Sequence, residues 1–207
     1  MIRVSTTHLE TFRRIEETEW GDESELIAQI MGKPFTPSWQ MLAGSQWDAA
    51  LSGEPAANRY TFATEDILKA RAHIGPGLWQ VKDAKLATVC GQPVTVVAQV
   101  DHILGLTIQE NKAKFSPADP KDYEPSLQWR FYLWVHGAAK CRYNLFSFAD
   151  PDDDGLCRLR EITSFSFFPY DALESECMEW LTRFVDWAWT RRLLPHLERE
   201  SSTPEYV

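Results

Sequence analysis

The sequence predicts an α/β fold in which helices flank a central mixed sheet of about five strands. Three observations support this prediction. Apolar residues recur at helical spacing through the N-terminal part of the chain, as far as Arg71. Segments rich in β-branched residues and separated by glycine turns follow from Trp79 onward. A long amphipathic pattern, typical of a helix, then begins after Pro169.

The N-terminal part is predicted to be helical. Thr7 and Glu10 have the spacing of a capping box, and Leu9 and Phe12 follow at helical spacing, so a helix should begin near Thr7. Three further helical patterns follow along the chain: 26–31, 38–51 and 59–71. Gly44 lies inside the second of them, where a glycine usually permits close packing.

The middle of the chain is predicted to form the sheet. Five segments have strand-like patterns: 79–88, 94–100, 106–113, 141–148 and 159–168. The proline-containing segment 116–125 is predicted as a loop, and it precedes a predicted helix from Leu127 to Val135 that Gly137 would end. The last pattern predicts one long helix from Asp171 to about Glu198.

Length and composition limit the domain organisation. The chain has 207 residues, 44% hydrophobic and 25% charged, which suits a single globular domain over residues 1–200 with a full-sized core. The polar tail, 201–207, is expected to be frayed. No apolar stretch reaches the length of a membrane span, and the N-terminus lacks the pattern of a signal peptide. We therefore expect an intracellular, cytoplasmic protein with no membrane partner.

Charge and cysteine content exclude two classes of protein. The net charge of −9 argues against non-specific coating of nucleic acid, which needs many lysines and arginines facing phosphate, although it is compatible with a localised basic groove. The four cysteines are widely spaced and contain no CxxC pair, which argues against a zinc knuckle. Reduced and mostly buried thiols are expected.

Asp101, Glu110 and Lys112 are the candidate residues for chemistry. Glu110 and Lys112 are two apart in a predicted strand, so their side chains share a face while that of Asn111 points away. Asp101 follows the preceding strand, and the sequence alone leaves open the register that would place it beside Glu110. Two carboxylates suit Mg²⁺, and a nearby lysine can orient or help deprotonate an attacking water. Taken singly, each of these residues is a common surface residue.

These residues also carry a family resemblance. Asp101, Glu110-Asn111-Lys112 and Gln128-x-x-x-Tyr132 resemble, in this order, the D…ExK…QxxxY pattern of RecB-type nucleases in the PD-(D/E)XK superfamily. Residues 4–14 are similar to the opening helix of that family. The segment from Gly44 to Asp48 stands where the family often has G-x-x-x-H, with Asp48 in place of the histidine. The resemblance covers most of residues 4–148.

The resemblance implies a restriction-endonuclease-like core and a Mg²⁺- or Mn²⁺-dependent deoxyribonuclease. It implies an exonuclease of DNA recombination, DNA repair or phage DNA processing, with DNA as its substrate and with room for a protein partner in such a complex. Family members with an iron–sulfur cluster hold it with four cysteines that flank the nuclease core. No cysteine precedes Cys90 here, so no cluster is expected.

The resemblance also implies roles for individual residues. Asp101 and Glu110 would be catalytic metal ligands, and Lys112 the catalytic lysine. The backbone carbonyl of Asn111 would be a third ligand, and Asp48 could add a carboxylate in place of the usual histidine. Gln128 and Tyr132 would lie on one helical face against the active site and bind the DNA backbone. The predicted site thus contains three kinds of residue: catalytic Asp101, Glu110 and Lys112, metal-binding Asp48 and Asn111, and substrate-binding Gln128 and Tyr132.

Two other functions compete with this interpretation. The acidic turn from Asp150 to Gly155, with Glu161, fits the formula of an EF-hand loop and would define a Ca²⁺-binding regulatory domain. Its flanks are strand-like rather than helical, which favours a hairpin turn. The second alternative is an inactive nuclease fold that binds DNA or a protein partner; the acidic charge and the missing histidine favour it, whereas the intact Asp–Glu–Lys set argues against it.

Overall fold

A six-stranded mixed sheet forms the centre of the computed structural model, which describes residues 1–18, 21–55 and 57–198. The strands are β1 (Ile2–Ser5), β2 (Thr61–Phe62), β3 (Leu78–Val89), β4 (Gln92–Leu104), β5 (Thr107–Lys114), β6 (Lys140–Phe148), β7 (Leu156–Cys157) and β8 (Leu159–Phe167). Strands β2 and β7 pair in parallel as a separate two-stranded sheet, and the other six form the central sheet. The helices are α1 (Thr6–Glu17), α2 (Glu23–Ile30), α3 (Trp39–Ser52), α4 (Thr64–Ile74), α5 (Leu127–His136), α6 (Leu173–Thr190) and α7 (Leu194–Leu197), and a 3₁₀ helix spans Pro120–Tyr123. The predicted α/β class is confirmed. The tail expected to be frayed, 201–207, lies outside the described residues.

Strand β4 organises the sheet because it has partners along both edges. Strand β3 pairs antiparallel with nearly its whole length on one edge. The other edge is shared, since β1 pairs in parallel with residues 94–97 and β5 pairs antiparallel with residues 102–104 only. Strand β6 continues parallel to β5, and β8 is antiparallel to β6. The part of β4 between the β1 and β5 pairings therefore has no strand beside it on that edge.

Two apolar cores lie on opposite faces of the sheet. The first is formed with α1, α5 and α6, and it includes Ile108 of β5. The second is formed with α3 and α4. It contains the side chain of Ala113 of β5, which is an odd number of residues from Ile108 and therefore points to the other face of the sheet. Trp47 of α3 is fully buried there among the rings of Phe62, Phe146 and Phe148. This packing fixes α3 on the sheet, one residue before Asp48.

The start of the chain differs from the prediction. Residues 2–5 form β1, a strand that the helical pattern concealed, and the N-cap of α1 is Ser5, whose side chain accepts a hydrogen bond from the backbone N–H of His8 at 3.1 Å. The predicted capping box from Thr7 to Glu10 is therefore wrong. The carboxylate of Glu10 instead contacts the first residues of α5.

The C-terminal helix is also shorter than predicted. Helix α6 ends at Thr190, and the single turn α7 follows after Arg192, which has a left-handed backbone with φ of 58°. Pro195 lies in the first turn of α7, where its missing N–H costs no helical hydrogen bond, whereas inside a continuous helix it would break one.

The acidic turn from Asp150 to Gly155 is not an EF-hand. It is preceded by β6 and followed by β7 and β8, as its strand-like flanks predicted. The side chain of Asp152 accepts hydrogen bonds from the backbone N–H groups of Asp154 at 3.1 Å and Leu156 at 2.8 Å. This carboxylate therefore stabilises its own turn.

The cysteines match the expected reduced state. Cys141, Cys157 and Cys177 are buried, Cys90 is exposed, and all four are free thiols. Among the residues that the structure describes, no helix has both the length and the apolar character needed to cross a membrane.

Candidate functional site

The candidate site lies where β4 and β5 separate. The last cross-strand pair is His102 with Gln109, so Asp101 and Glu110 would form the next one. Instead, the Asn111 N–H donates to Asp101 Oδ2 at 2.7 Å, and the Asp101 N–H donates to Glu110 Oε1 at 3.3 Å. Each carboxylate is thus held by the backbone of the opposite strand. This answers the question of register that the sequence left open.

A local distortion of β3 and β4 aims Asp101 toward β5. Val100 packs in the first core, whereas His102 lies on the other face, where its ring is 4.6 Å from that of Trp79. The alternation of side chains between the two faces of β4 is therefore interrupted at Asp101. Gln80, at the corresponding place in β3, has a left-handed backbone with φ of 51°, a conformation that costs a non-glycine residue free energy and is found at functional sites.

Lys112 faces both carboxylates. Its Nζ lies 2.8 Å from Glu110 Oε2 and 4.0 Å from Asp101 Oδ2. The side chain of Glu110 is 1% exposed, and that of Lys112 is 32% exposed. Burial alone would lower the pKa of Lys112, but the charges of Glu110 and Asp101 raise it well above its usual value. Lys112 is therefore a cation in this arrangement.

Asp48 adds a third carboxylate from α3. Burial, the charge of Asp101 and, more weakly, that of Glu110 raise its pKa well above the usual value, while Lys112 opposes the shift. Burial and the charge of Asp101 likewise raise the pKa of Glu110 to about 7. Three carboxylates thus surround one lysine, and an additional cation would lower the electrostatic free energy of the site.

The carboxylates do not form a closed metal cage. Within the described part of the chain, no three histidine, cysteine, aspartate or glutamate side chains are grouped closely enough to hold a metal ion. Asp101 and Glu110 together remain a suitable donor set for Mg²⁺, which binds one or two carboxylates and keeps several waters. Because the N–H and C=O of one strand residue point to the same side, the Asn111 carbonyl also faces the gap toward Asp101.

Helix α5 brings Tyr132 to the same place. The Tyr132 hydroxyl is buried and hydrogen-bonded to the side chain of Thr6, and burial followed by the charge of Glu110 raises its pKa well above the usual value. Gln128 lies one turn earlier on the same face of α5 and is partly buried. The structure therefore places all the predicted residues on the elements around the gap between β4 and β5.

Two residues of this region were missed at the level of sequence. Glu10 accepts hydrogen bonds from the Leu127 N–H at 2.7 Å and the Ser126 hydroxyl at 3.0 Å, so α1 caps the helix that carries Tyr132. Tyr143 is paired in register with Glu110, and its buried hydroxyl has no hydrogen-bonding partner among the described residues. The position of Tyr143 beside Glu110 follows only from the register between β5 and β6, which the sequence does not specify. The spacing of Thr7 and Glu10 suggested a capping box and so concealed the long-range contact of Glu10.

Comparison with known proteins identifies the fold. No family model matches the sequence, and no curated protein is significantly similar to it. The crystal structure of SSO0001 is similar with a TM-score of 0.57 and 16% identity, covering 90% of this chain and 77% of that chain. An alkaline exonuclease from Laribacter hongkongensis has a TM-score of 0.55 and 13% identity, covering 91% of this chain and 89% of that chain.

A phage-related exonuclease from Haemophilus somnus is also similar, with a TM-score of 0.51 and 11% identity over 92% of this chain and 96% of that chain. The Laribacter exonuclease has additionally been solved in complex with dAMP. The chain therefore shares the fold of these exonucleases, as the resemblance predicted.

Proposed function

We propose that this protein is a metal-dependent deoxyribonuclease that hydrolyses DNA phosphodiester bonds, acting as an exonuclease. The observation that carries this proposal is the arrangement of Asp101, Glu110 and Lys112 at the gap between β4 and β5. The two carboxylates are held by backbone N–H groups of opposite strands, and the lysine lies 2.8 Å from one of them. The fold that the chain shares with exonucleases supports the proposal.

Asp101 and Glu110 would hold Mg²⁺ or Mn²⁺, together with the carbonyl of Asn111 and with Asp48 if its carboxylate moves toward the gap. The bound metal would supply a Lewis acid for the scissile phosphate and lower the pKa of a bound water. The crowded carboxylates fit such a cation, since burial and mutual repulsion raise the pKa values of Asp48 and Glu110. No iron–sulfur cluster is proposed.

Lys112 would orient the attacking water and neutralise the charge that develops on the phosphate. As a cation beside Glu110, it is suited to stabilise negative charge rather than to accept a proton from water. Gln128 and Tyr132 would bind the DNA backbone from α5. We propose action inside the cell, in the cytoplasm, in recombination, repair or phage DNA processing, alone or with a protein partner.

The test is a cleavage assay on linear and circular DNA, in single- and double-stranded forms, with Mg²⁺, Mn²⁺ or EDTA. We expect cleavage of linear DNA that requires the metal and falls by at least about 100-fold in Lys112→Ala. Lys82→Ala is the matched control, because Lys82 is an exposed lysine of β3, on the other side of β4, and it should cleave like the wild type.

Cleavage that survives Lys112→Ala would identify a contaminating nuclease and contradict the proposal. A second candidate function is an inactive nuclease fold that binds DNA, which is favoured by the absence of a closed metal cage among the described residues. Its signature would be DNA binding without cleavage in any metal.

A further inference from the structure

Buried polar side chains lie behind the candidate site, on the face of the sheet that α3 and α4 cover. Asn111 and Asn144 are each two residues from a residue of the second core, Ala113 and Phe146 respectively, so their side chains point to that face. Both asparagines are buried, with exposed fractions of 2% and 0%. Glu110 points to the opposite face of β5. The chemistry of the site and these asparagines therefore lie on opposite faces of one strand.

A row of three polar side chains crosses neighbouring strands at one level. Asn111 of β5 is in register with Asn144 of β6, which is in register with Ser164 of β8. The Ser164 hydroxyl donates to Asn144 Oδ1 at 2.8 Å, and Asn144 Nδ2 donates to Asn111 Oδ1 at 3.0 Å. We call Asn111, Asn144 and Ser164 the polar row. Its inner end, Asn111, is the residue whose backbone N–H holds Asp101.

Gln109 connects the polar row to the point where β4 and β5 separate. Asn144 Nδ2 also donates to Gln109 Oε1 at 3.1 Å. Gln109 Nε2 donates to the carbonyl of Ile74, the last residue of α4, at 2.8 Å, and it lies 3.3 Å from His102 Nδ1. His102 and Gln109 form the last pair between β4 and β5. These bonds therefore fix both strands where the gap begins.

The composition of this network argues against a role in stability alone. Its members include four polar side chains that are at most 2% exposed: His102, Gln109, Asn111 and Asn144. Asn111 Nδ2 and His102 Nε2 have no hydrogen-bonding partner among the described residues, and an unpartnered buried group is costly in free energy. Apolar side chains would avoid that cost, as they do in the rest of this core. The network instead suits a role in specifying the position of β5.

The part of β5 beyond Gln109 needs such a support. The pairing of β4 with β5 ends there, so no ladder of the described sheet fixes residues 110–114 against β4. Asn111 must nevertheless stand where its N–H reaches Asp101 at 2.7 Å and its carbonyl faces the gap. A rotation of the Asn111 backbone would move both groups. The hydrogen bond from Asn144 opposes that rotation, because it holds the side chain of the same residue.

We propose that Asn144 is a positioning residue of the candidate site, which acts through Asn111 to hold the Asp101 carboxylate and the Asn111 carbonyl toward one divalent cation. This inference rests on the proposed function and deepens it, because it assigns part of the metal affinity to the face of the sheet that the metal does not touch. Ser164 orients the Asn144 amide, since its hydroxyl donates to Oδ1 and leaves Nδ2 for Asn111. Arg142 in turn holds Ser164, because its Nη2 donates to the hydroxyl at 3.2 Å.

The test measures binding of Mn²⁺ to the folded protein by electron paramagnetic resonance, which detects the free ion and does not require hydrolysis. Asn144→Leu removes both hydrogen-bonding groups and nearly keeps the size of the side chain. We expect it to raise the Kd for Mn²⁺ at least about tenfold, as when residues that orient metal ligands are replaced. The cleavage rate of this variant should fall at low Mn²⁺ and recover in part at high Mn²⁺.

Leu26→Ala controls for a general loss of stability. Leu26 is fully buried in α2, which packs on α1. Its truncation leaves a cavity, so the melting temperature should fall. At a temperature where the variant is folded, its Kd for Mn²⁺ should stay within about twofold of the wild-type value.

Ser164→Ala tests the outer end of the polar row at an exposed position. We expect the Kd for Mn²⁺ to rise about threefold, the effect of one lost hydrogen bond. Ser166→Ala is the matched control, because Ser166 lies two residues further along the same face of β8 and is not part of the polar row. Its Kd should equal that of the wild type.

The outcomes separate this inference from the proposed function. Wild-type affinity for Mn²⁺ in folded Asn144→Leu, or in Ser164→Ala if Asn144→Leu does not fold, would overturn the positioning role even if the wild type cleaves DNA. An equal rise of the Kd in Leu26→Ala would also overturn it. Weaker binding in both row variants, without cleavage by the wild type in any metal, would support the role and overturn the proposed hydrolysis. Absence of Mn²⁺ binding by the folded wild type would overturn both.

Discussion

Asp48 is the residue at which stability and metal binding should oppose each other. Burial makes the charge of its carboxylate costly, and repulsion by Asp101 and Glu110 adds to that cost. Asp48→Asn removes that repulsion while keeping the shape of the side chain. We therefore expect the free energy of unfolding in EDTA to rise by about 1 kcal/mol. The stabilisation produced by Mn²⁺ should shrink by a similar amount, as after the loss of one ligand.

Thermal unfolding with and without Mn²⁺ measures both effects. Asp153→Asn is the control, since Asp153 is an exposed aspartate of the acidic turn. If Asp48→Asn responds to Mn²⁺ as fully as the wild type, Asp48 is no metal ligand.

His8 should make the fold sensitive to acid. Burial lowers its pKa from 6.5 to about 4, and its ring stacks on Phe184 at 6.4 Å. Between these two pH values the unfolded chain binds more protons at His8 than the folded one. The contribution of His8 to the free energy of unfolding is therefore fully present above pH 6.5. It is lost as the pH falls toward 4, and the total loss is up to about 3 kcal/mol.

The measurement is urea unfolding of the wild type and of His8→Phe between pH 7 and pH 4. Phenylalanine keeps the ring against Phe184 but cannot be protonated, so the variant should lose less stability over this range. Equal losses in the two proteins would show that other groups dominate the acid response.

At the scale of elements, the contact between α1 and α5 determines where Tyr132 stands. The buried carboxylate of Glu10 accepts hydrogen bonds from Arg13, Ser126 and the Leu127 N–H, and the negative charge lies at the N-terminus of α5. Glu10→Ala leaves these donors and the buried Arg13 without their main acceptor. We expect it to lower the free energy of unfolding by about 3 kcal/mol.

Chemical denaturation of Glu10→Ala measures this cost. Glu17→Ala is the control, because Glu17 also pairs with Arg13 but its side chain is 44% exposed. The control should lose less than about 1 kcal/mol. Similar losses in both variants would mean that the cap adds nothing beyond a surface ion pair.

The sequence predicted whether most elements are helices or strands, but it did not predict their long-range contacts. Helical and strand periods identified α3, α5 and the strands from β3 to β6, because one face of each element is buried. The short strand β1 was hidden, since its four residues run directly into α1. Ser5 could not be recognised as the N-cap while Thr7 and Glu10 offered the expected spacing. Glu10 accepts a hydrogen bond from the first N–H of a helix that begins more than a hundred residues later. No local pattern in the sequence encodes such a contact.

At the scale of the whole molecule, the net charge of −9 predicts that the proposed binding of DNA depends on a cation. In the proposed complex, phosphate would approach a site that already contains the carboxylates of Asp48, Asp101 and Glu110 around Lys112. Without a divalent cation, electrostatic repulsion should oppose the complex. We expect EDTA to raise the Kd for a labelled single strand at least about tenfold relative to Ca²⁺.

Anisotropy titrations at one fixed ionic strength test this prediction, because salt alone changes the affinity for nucleic acid. Addition of Na⁺ to the same ionic strength controls for screening. Equal affinity in EDTA and Ca²⁺ would place the DNA away from the carboxylates.

The candidate site could be predicted as a set of residues but not as a geometry. The order of Asp101, Glu110, Lys112 and Tyr132 in the sequence predicted residues that the structure brings close together. Their meeting depends on the register of β4 against β5 and on the twist at Gln80, which local sequence does not specify. The position of Asp48 depends on how Trp47 packs in the second core, a property of the folded whole.

The hydrogen bond from the Asn111 amide to Asp101 gives the protein a built-in spectroscopic reporter. In a regular sheet this amide would face a carbonyl of the adjacent strand, but here its acceptor is a carboxylate at 2.7 Å. A cation that draws electron density from Asp101 weakens that bond. The ¹⁵N–¹H resonance of Asn111 should therefore move as metal is added, and its amide proton should exchange with deuterium faster, before any substrate is present.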